Sequence, residues 1–501
     1  MSAPLWTVDA LVAAMRAERA GTLPAAIGGI SIDSRSIAPD QAFFAIKGDT
    51  HDGHAFVRAA LENGAGLAVV ARDKLALGPA ESGTLERGEL PADAPLLIVP
   101  DVLDSLRDLA AAARARSRGK IVAVTGSVGK TSTKEALRLA LSRDGEVHAS
   151  VASFNNHWGV PLSLARLPES ARYGVFEIGM NHAGEITPLT RLVRPDVAII
   201  TTIAPVHLEF FNSVEEIADA KAEIFLGLVP GGAAVLNRDN AQFARLAQAA
   251  AAAGVGRIVG FGEHAEADAR LLRCALAPEA STVEAEIFGN RVAYKIGAPG
   301  KHLVVNSLAV LAAAHLVGAD LALAALALAE QAPAAGRGTR IELAVPGGSA
   351  LLIDESYNAN PLSMRAALAL LGQAPIGARG RRIAVLGDML ELGAAGADLH
   401  RELAGPIREN ATDLVYCSGP LMAALWEALP SACRGGYAKD AATLEPEVVA
   451  AVRSGDAVMI KGSFGSRMGP IVKALMRRYA APAAPDPVPD RVQVQMKAQQ
   501  G

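Results

Sequence analysis

The stretch GKIVAVTGSVGKTST at 119–133 constrains the chain most, because it reads as an apolar strand entering a glycine-rich loop that opens directly into a helix. The run Ile121 to Val124 ends at Thr125, and Gly126, Ser127, Val128 and Gly129 lead to Lys130, Thr131 and Ser132. The two glycines let backbone N–H groups curl around an anion with no Cβ in the way, and a helix N-terminus adds partial positive charge. Lys130 is placed to reach outer phosphates, and the Thr131 hydroxyl to ligate a Mg2+ that bridges them. The implied ligand is a nucleoside triphosphate. In the common G-x-x-x-x-G-K-[ST] loop the first glycine would fall at Val124, so this chain carries a shorter T-G-S-V-G-K-T pattern.

Apolar runs alternate with helical stretches along most of the chain, which predicts an α/β protein with largely parallel sheets. A length of 501 residues suits about three domains. The first, 1–115, mixes short strands at 42–46, 67–70 and 96–99 with helices, has a Gly/Pro/Glu-rich loop at 78–95 and ends in a helix over 102–117. The second, 116–333, carries the glycine loop and further strands at 173–178, 197–202 and 233–236. The third, 334–480, has strands at 350–354, 382–386, 413–417 and 457–460 and reads as Rossmann-like. The Pro/Ala-rich tail 481–501 is too poor in apolar residues to pack and is expected to be disordered.

Other properties exclude whole classes. A net charge of −4 gives no global positive field to draw in nucleic acid, so small anionic substrates need local basic pockets. Cys274, Cys417 and Cys433 show neither metal spacing nor pairing, which fits a reducing cytoplasm. The first residues lack a basic region ahead of their apolar stretch, and Asp9 interrupts it, so no signal peptide is read. The Ala-rich segment 308–329 is broken by His315, Gly318 and Asp320, so it reads as two packed helices and not as a membrane span.

Several residues downstream of the glycine loop suit the same site. Glu177 ends an apolar strand, where its carboxylate can reach a Mg2+ held by Thr131. His207 follows the strand around Ala198 to Ile203, at the strand edge where open α/β sheets bind ligands. Lys221, in a helix read over 214–226, looks on pattern alone like an ordinary surface lysine.

The ordered stretches SIDSRSIAPDQAFFAIKGDTHDGHAF, NNHWGVP at 155–161, EIGMNHAGEI at 177–186, HLEFF at 207–211, AKAEIF at 220–225, DESYNANPLSM at 354–364, LGDMLELG at 386–393 and KGSFGSRMG at 461–469 resemble the Mur ligases over about residues 27–475. The resemblance implies an N-terminal domain holding a uridine diphosphate sugar, a central ATPase domain and a closing C-terminal domain. The 354–364 and 386–393 stretches match the member that uses ATP to join D-alanyl-D-alanine to a UDP-N-acetylmuramoyl-tripeptide, making a peptidoglycan precursor. Two alternatives stand beside it: the relative that adds the third amino acid, whose D-N-P-R-like motif is absent here, and a silent nucleotide-binding regulator. Folylpolyglutamate synthetase, which shares the loop variant, lacks the DSR-type uridine region.

Carried over by motif, Thr131, Glu177, His207 and a carbamylated Lys221 would organise Mg2+, while Thr125 to Ser132, Asn155, Asn156, Asn306, Arg337 and Asp354 would contact ATP. The family commonly has Asn where this chain has Leu303. Ser34, Arg35 and Lys47 fall on turns of the uridine region and are placed to neutralise the pyrophosphate. His51, Asp52 and His54 read as substrate-side structure and not as a metal site. The expected protein is a cytoplasmic monomer with no nucleic acid partner and no integral membrane contact.

Overall fold

The computed structural model describes residues 4–48, 51–76, 85–86, 90–91, 93–151, 153–206 and 208–480. His207, the tail 481–501 and most of the loop read at 78–95 lie outside the described residues. The chain divides into two compact units, one formed by residues 1–333 with 391–394 and the other by 334–390 with 395–501.

The first unit contains two large sheets. A five-stranded sheet runs in the order Glu18–Ala20, Leu96–Val99, Leu67–Ala71, Gln41–Phe44, Gly29–Ser31, parallel except for the first pairing. A nine-stranded sheet runs Val147–Ala149, Tyr173–Glu177, Lys120–Thr125, Val197–Ile200, Ala233–Asn237, Arg257–Gly262, Ala269–Leu276, Ser281–Ile287, Asn290–Ile296. The glycine loop leaves the Lys120–Thr125 strand, whose neighbours on either side, Tyr173–Glu177 and Val197–Ile200, are both parallel to it and come later in the chain. That reversal of strand order opens a crevice at the carboxyl ends of the strands, where open α/β sheets hold ligands.

The central strands are apolar throughout because helices cover both faces. Ile121 and Ala123 pack into a core shared with Leu106 and Leu109 of the Val102–Arg116 helix and Val160 and Leu162 of the Gly159–Ala165 helix. Val122 and Val124 point the other way, against Leu137 and Leu141 of the Lys130–Ser142 helix and Leu308 to Ala314 of the Lys301–Leu316 helix. Period-two alternation thus pins the strand that carries the loop between two helical layers, and each buried Leu contributes about 1.5–3 kcal/mol. The first core runs without a break from Trp6 through Ala250, so packing is continuous past residue 115.

The Ala-rich segment forms the helices Lys301–Leu316 and Leu321–Ala327, separated at Gly318 (φ 81°) and Asp320, whose side chain accepts from Leu323 N. No helix among the described residues is long and apolar enough to cross a membrane. Other expectations need correction. The helix read over 214–226 ends at Ala222 and tightens into a 3-10 stretch over Glu223–Gly227. The nine-stranded sheet also closes with antiparallel strands over 269–296, which the strand-and-helix alternation did not anticipate. Their signal was present: Val283, Ala285 and Ile287 are buried while Thr282 and Glu284 are exposed, and Phe288 (φ 49°) and Gly289 (φ 81°) make the tight turn that follows.

In the second unit a six-stranded sheet runs Thr339–Val345, Gly348–Glu355, Ala457–Lys461, Arg382–Gly387, Leu414–Ser418, Arg434–Ala438, with only the first pairing antiparallel. The strands Thr339–Val345 and Arg434–Ala438 were not anticipated. Polar Arg340 and Glu342 interrupt the first, and Gly435 and Gly436 weaken the β signal of the second.

Candidate nucleotide and metal site

The loop after Lys120–Thr125 is shaped by two left-handed glycines, Gly126 (φ 146°) and Gly129 (φ 84°). A Cβ on Gly126 would lie 2.0 Å from Thr201 Oγ1, and one on Gly129 would lie 2.5 Å from Asn306 Nδ2, so the cradle tolerates only glycine. Thr201 closes it from the neighbouring strand edge, donating from Oγ1 to Val128 O at 2.6 Å. Ser127 is buried and donates to Ala204 O at 3.1 Å, while Ser132 donates to Gly129 O at 3.1 Å. The Thr125 hydroxyl is buried without a hydrogen-bond partner among the described residues. Gly126→Ala is expected to lower the stability of this unit by about 1–3 kcal/mol through backbone strain. An unchanged urea midpoint would show that the loop relaxes freely.

Lys130 begins the Lys130–Ser142 helix and donates from Nζ to Gly126 O at 2.7 Å, so its charge sits over the loop. Thr131 is buried and donates from Oγ1 to Glu177 Oε2 at 2.9 Å, and the other carboxylate oxygen accepts from Asn155 Nδ2 at 2.7 Å. A hydroxyl and a carboxylate this close are hard oxygens of the kind Mg2+ selects, and they stand at the mouth of an anion cradle.

Three lysines are almost fully buried among the described residues: Lys134, Lys221 and Lys461. Lys134 pairs with Glu135 at 2.9 Å, and Lys461 pairs with Glu355 at 3.0 Å. Lys221 differs, being 1 % exposed with burial, and then the charge of Lys130, pushing its amine well below the ordinary lysine range. The surface-lysine pattern is therefore wrong for this position. Its helix carries the apolar face Ile217, Ala218, Ala220 and Ala222, and tertiary packing turns Lys221 inward with them.

The remaining predicted residues divide. Asn306 lies against Gly129 of the loop. Asn156 spends its side-chain oxygen on Gly159 N at 2.9 Å, at the start of the Gly159–Ala165 helix. Arg337 and Asp354 belong to the second unit, where Arg337 stacks on Tyr357 at 4.3 Å and Asp354 accepts from Ser356 N and Oγ at 3.0 and 2.6 Å. In the turn after the edge strand Gly29–Ser31, Ser34 is buried, and Arg35 grips Asp33 at 2.9 and 2.7 Å, helping to pull that carboxyl down to about 2. Lys47 pairs through its backbone with Asp52. His54 is buried, accepts at Nε2 from Ala71 N at 2.9 Å and so donates from Nδ1 to Asp52 at 2.6 Å, a structural arrangement. Sequence reasoning missed Thr201 and also Asn240, which donates to Thr202 Oγ1 and Ile203 O and so holds the segment leading to position 207. A hydroxyl closing the strand next to the loop strand was the available signal for Thr201.

Residues 26–114 match the Mur ligase family catalytic domain, 124–314 the Mur ligase middle domain and 336–464 the Mur ligase glutamate ligase domain. The chain is 33% identical over 457 residues to the UDP-N-acetylmuramoyl-tripeptide--D-alanyl-D-alanine ligase of Bacillus subtilis, covering 90% of this chain and 93% of the relative. The Escherichia coli enzyme of the same name is 32% identical over 450 residues, with 90% and 94% covered. Among solved structures, MurF from Acinetobacter baumannii superposes with a TM-score of 0.77 at 29% identity, covering 95% of this chain and 100% of that one. The MurF ligase of Thermotoga maritima in complex with ADP gives 0.70 at 26% identity, covering 90% and 98%.

Proposed function

Because this chain belongs to the Mur ligase family, we propose that it uses ATP to join D-alanyl-D-alanine to UDP-N-acetylmuramoyl-tripeptide, releasing ADP and phosphate. The single observation that carries the reading is the convergence of the glycine cradle, Lys130, Thr131 and Glu177 at one strand edge. In this reading residues 1–115 hold the uridine nucleotide, with Ser34, Arg35 and Lys47 toward its pyrophosphate, 116–333 bind ATP, and 334–480 supply Arg337 and Asp354 as nucleotide contacts.

A carboxylate cannot acylate an amine directly because oxide is a poor leaving group. The terminal carboxylate of the tripeptide therefore attacks the γ-phosphorus of ATP, its oxygen forming the new P–O bond as the bond to the ADP oxygen breaks. The amine of D-alanyl-D-alanine then attacks the acyl phosphate, loses a proton, and expels phosphate as the amide forms. The loop N–H groups and Lys130 offset charge as the anionic carboxylate approaches the anionic phosphoryl group, with Lys130 exchanging Gly126 O for a phosphate oxygen. Thr131, Glu177, His207 and Lys221 would hold Mg2+, which supplies further charge neutralisation between the phosphates. For that role Lys221 needs an anionic oxygen. Its depressed amine suits carbamylation: the lone pair of the neutral amine attacks CO2, one proton leaves, and the buried amine becomes an anionic carbamate.

The test offers UDP-muramoyl-tripeptide with D-alanyl-D-alanine, and separately UDP-muramoyl-dipeptide with diaminopimelate, while phosphate release is followed. Release with the first pair is expected. Release with the second pair alone would overturn the substrate assignment.

A further inference from the structure

Lys134 lies one helical turn beyond Lys130, is fully buried, and takes no part in the steps above. Burying an ammonium is costly unless it is paired and hydrogen-bonded. Its Nζ donates to Ser150 O at 2.6 Å and pairs with Glu135, which Arg138 also holds at 2.8 Å. Ser150 begins a segment that returns to the site. Ser153 Oγ lies 3.4 Å from Thr131 Oγ1, Asn155 Nδ2 donates to Glu177 Oε1 at 2.7 Å, and Asn155 O accepts from Gly179 N at 2.8 Å.

We infer that Lys134 is a positioning residue for the metal-and-phosphate end of the site: its bond to Ser150 O anchors the segment whose Asn155 amide holds the Glu177 carboxylate against Thr131. A methionine would fill much the same volume without a buried charge, and the Glu135 carboxylate it leaves behind is part-exposed and still held by Arg138. What lysine adds is a directed bond to a backbone carbonyl that fixes where Asn155 stands. Groups that orient metal ligands from behind typically change metal affinity or activity by about 10- to 100-fold when removed.

The inference rests on the reading that Thr131 and Glu177 hold Mg2+, and the experiment separates the two. ADP affinity is measured by calorimetry with and without Mg2+ for the wild type, Lys134→Met, Asn155→Ala and the double variant. The wild type is expected to bind ADP more tightly with Mg2+, and absence of that gain would overturn the metal reading and this inference with it. Lys134→Met is expected to lose about 10- to 100-fold of the Mg2+-dependent affinity while its Mg2+-free affinity stays put. The double variant should be no weaker than Asn155→Ala alone, because both changes act through one amide. Equal losses with and without Mg2+, no loss, or additive losses would each overturn the inference. Lys134→Gln, which keeps a donor on a shorter stem, carries the same measurements if the methionine variant does not fold, with a smaller loss expected.

Discussion

Lys130→Ala is expected to lower the rate of phosphate release by about 100- to 1000-fold while leaving the affinity for UDP-muramoyl-tripeptide nearly unchanged. The rate falls because the ammonium of Lys130 sits directly over the loop at Gly126 O, and the carboxylate must approach a phosphoryl group that already repels it. An alanine there removes charge stabilisation that matters most when the two anions are closest. The affinity holds because the uridine nucleotide is assigned to the sheet that runs from Glu18–Ala20 to Gly29–Ser31, apart from the strand that carries the loop. Calorimetric titration of the UDP substrate beside a phosphate-release assay separates the two quantities. A loss of UDP-substrate affinity as large as the loss of turnover would contradict the assignment of the first 115 residues.

The second large effect belongs to Lys221. If Lys221 is the proposed carbamate, Lys221→Ala should depress turnover by about 100-fold, since it would remove an anionic oxygen from the metal end of the site. A short carboxylate such as acetate is expected to restore part of the activity, because hard Mg2+ accepts any well-placed carboxylate oxygen. Wild-type enzyme prepared free of CO2 should regain activity on addition of bicarbonate. The pH dependence has a definite sign. Burial and Lys130 depress the folded-state pKa, so the amine is neutral and able to take up CO2 above that depressed value, and protonation competes as pH falls through it. Bicarbonate dependence should therefore steepen toward acid. In the uncarbamylated chain, unfolding lets the amine regain a proton, so stability should also fall as pH drops from the ordinary lysine range toward the depressed value. Full activity of the alanine variant, or an active CO2-equilibrated crystal with a bare amine, would remove the carbamate from the mechanism.

How far the sequence reached can be judged residue by residue. Gly126, Gly129, Lys130 and Thr131 were legible because a strand, two glycines and a helix start are consecutive, and local rules govern consecutive residues. The parallel sheets were legible for a similar reason, since strands buried on both faces read as unbroken apolar runs such as Ile121 to Val124. The antiparallel end of the nine-stranded sheet escaped because its strands are half exposed and alternate with Glu, Arg and Lys, so no apolar run marks them.

The chain by itself determined the cradle, the α/β class and the family motifs, all of which depend on neighbours along the backbone. Only the tertiary structure decided that Glu177 faces Thr131 across 46 residues, that Asn155 reaches Glu177 across 22, and that Lys134 is tied to Ser150 across 16. It also decided that Arg35 is already held by Asp33 and that Lys221 is buried. Burial depends on which layers cover a helix face, and hydrogen bonds between distant segments depend on strand order. Neither is encoded in the spacing of residue types, which is why a lysine with an ordinary surface pattern proves to be buried at the site.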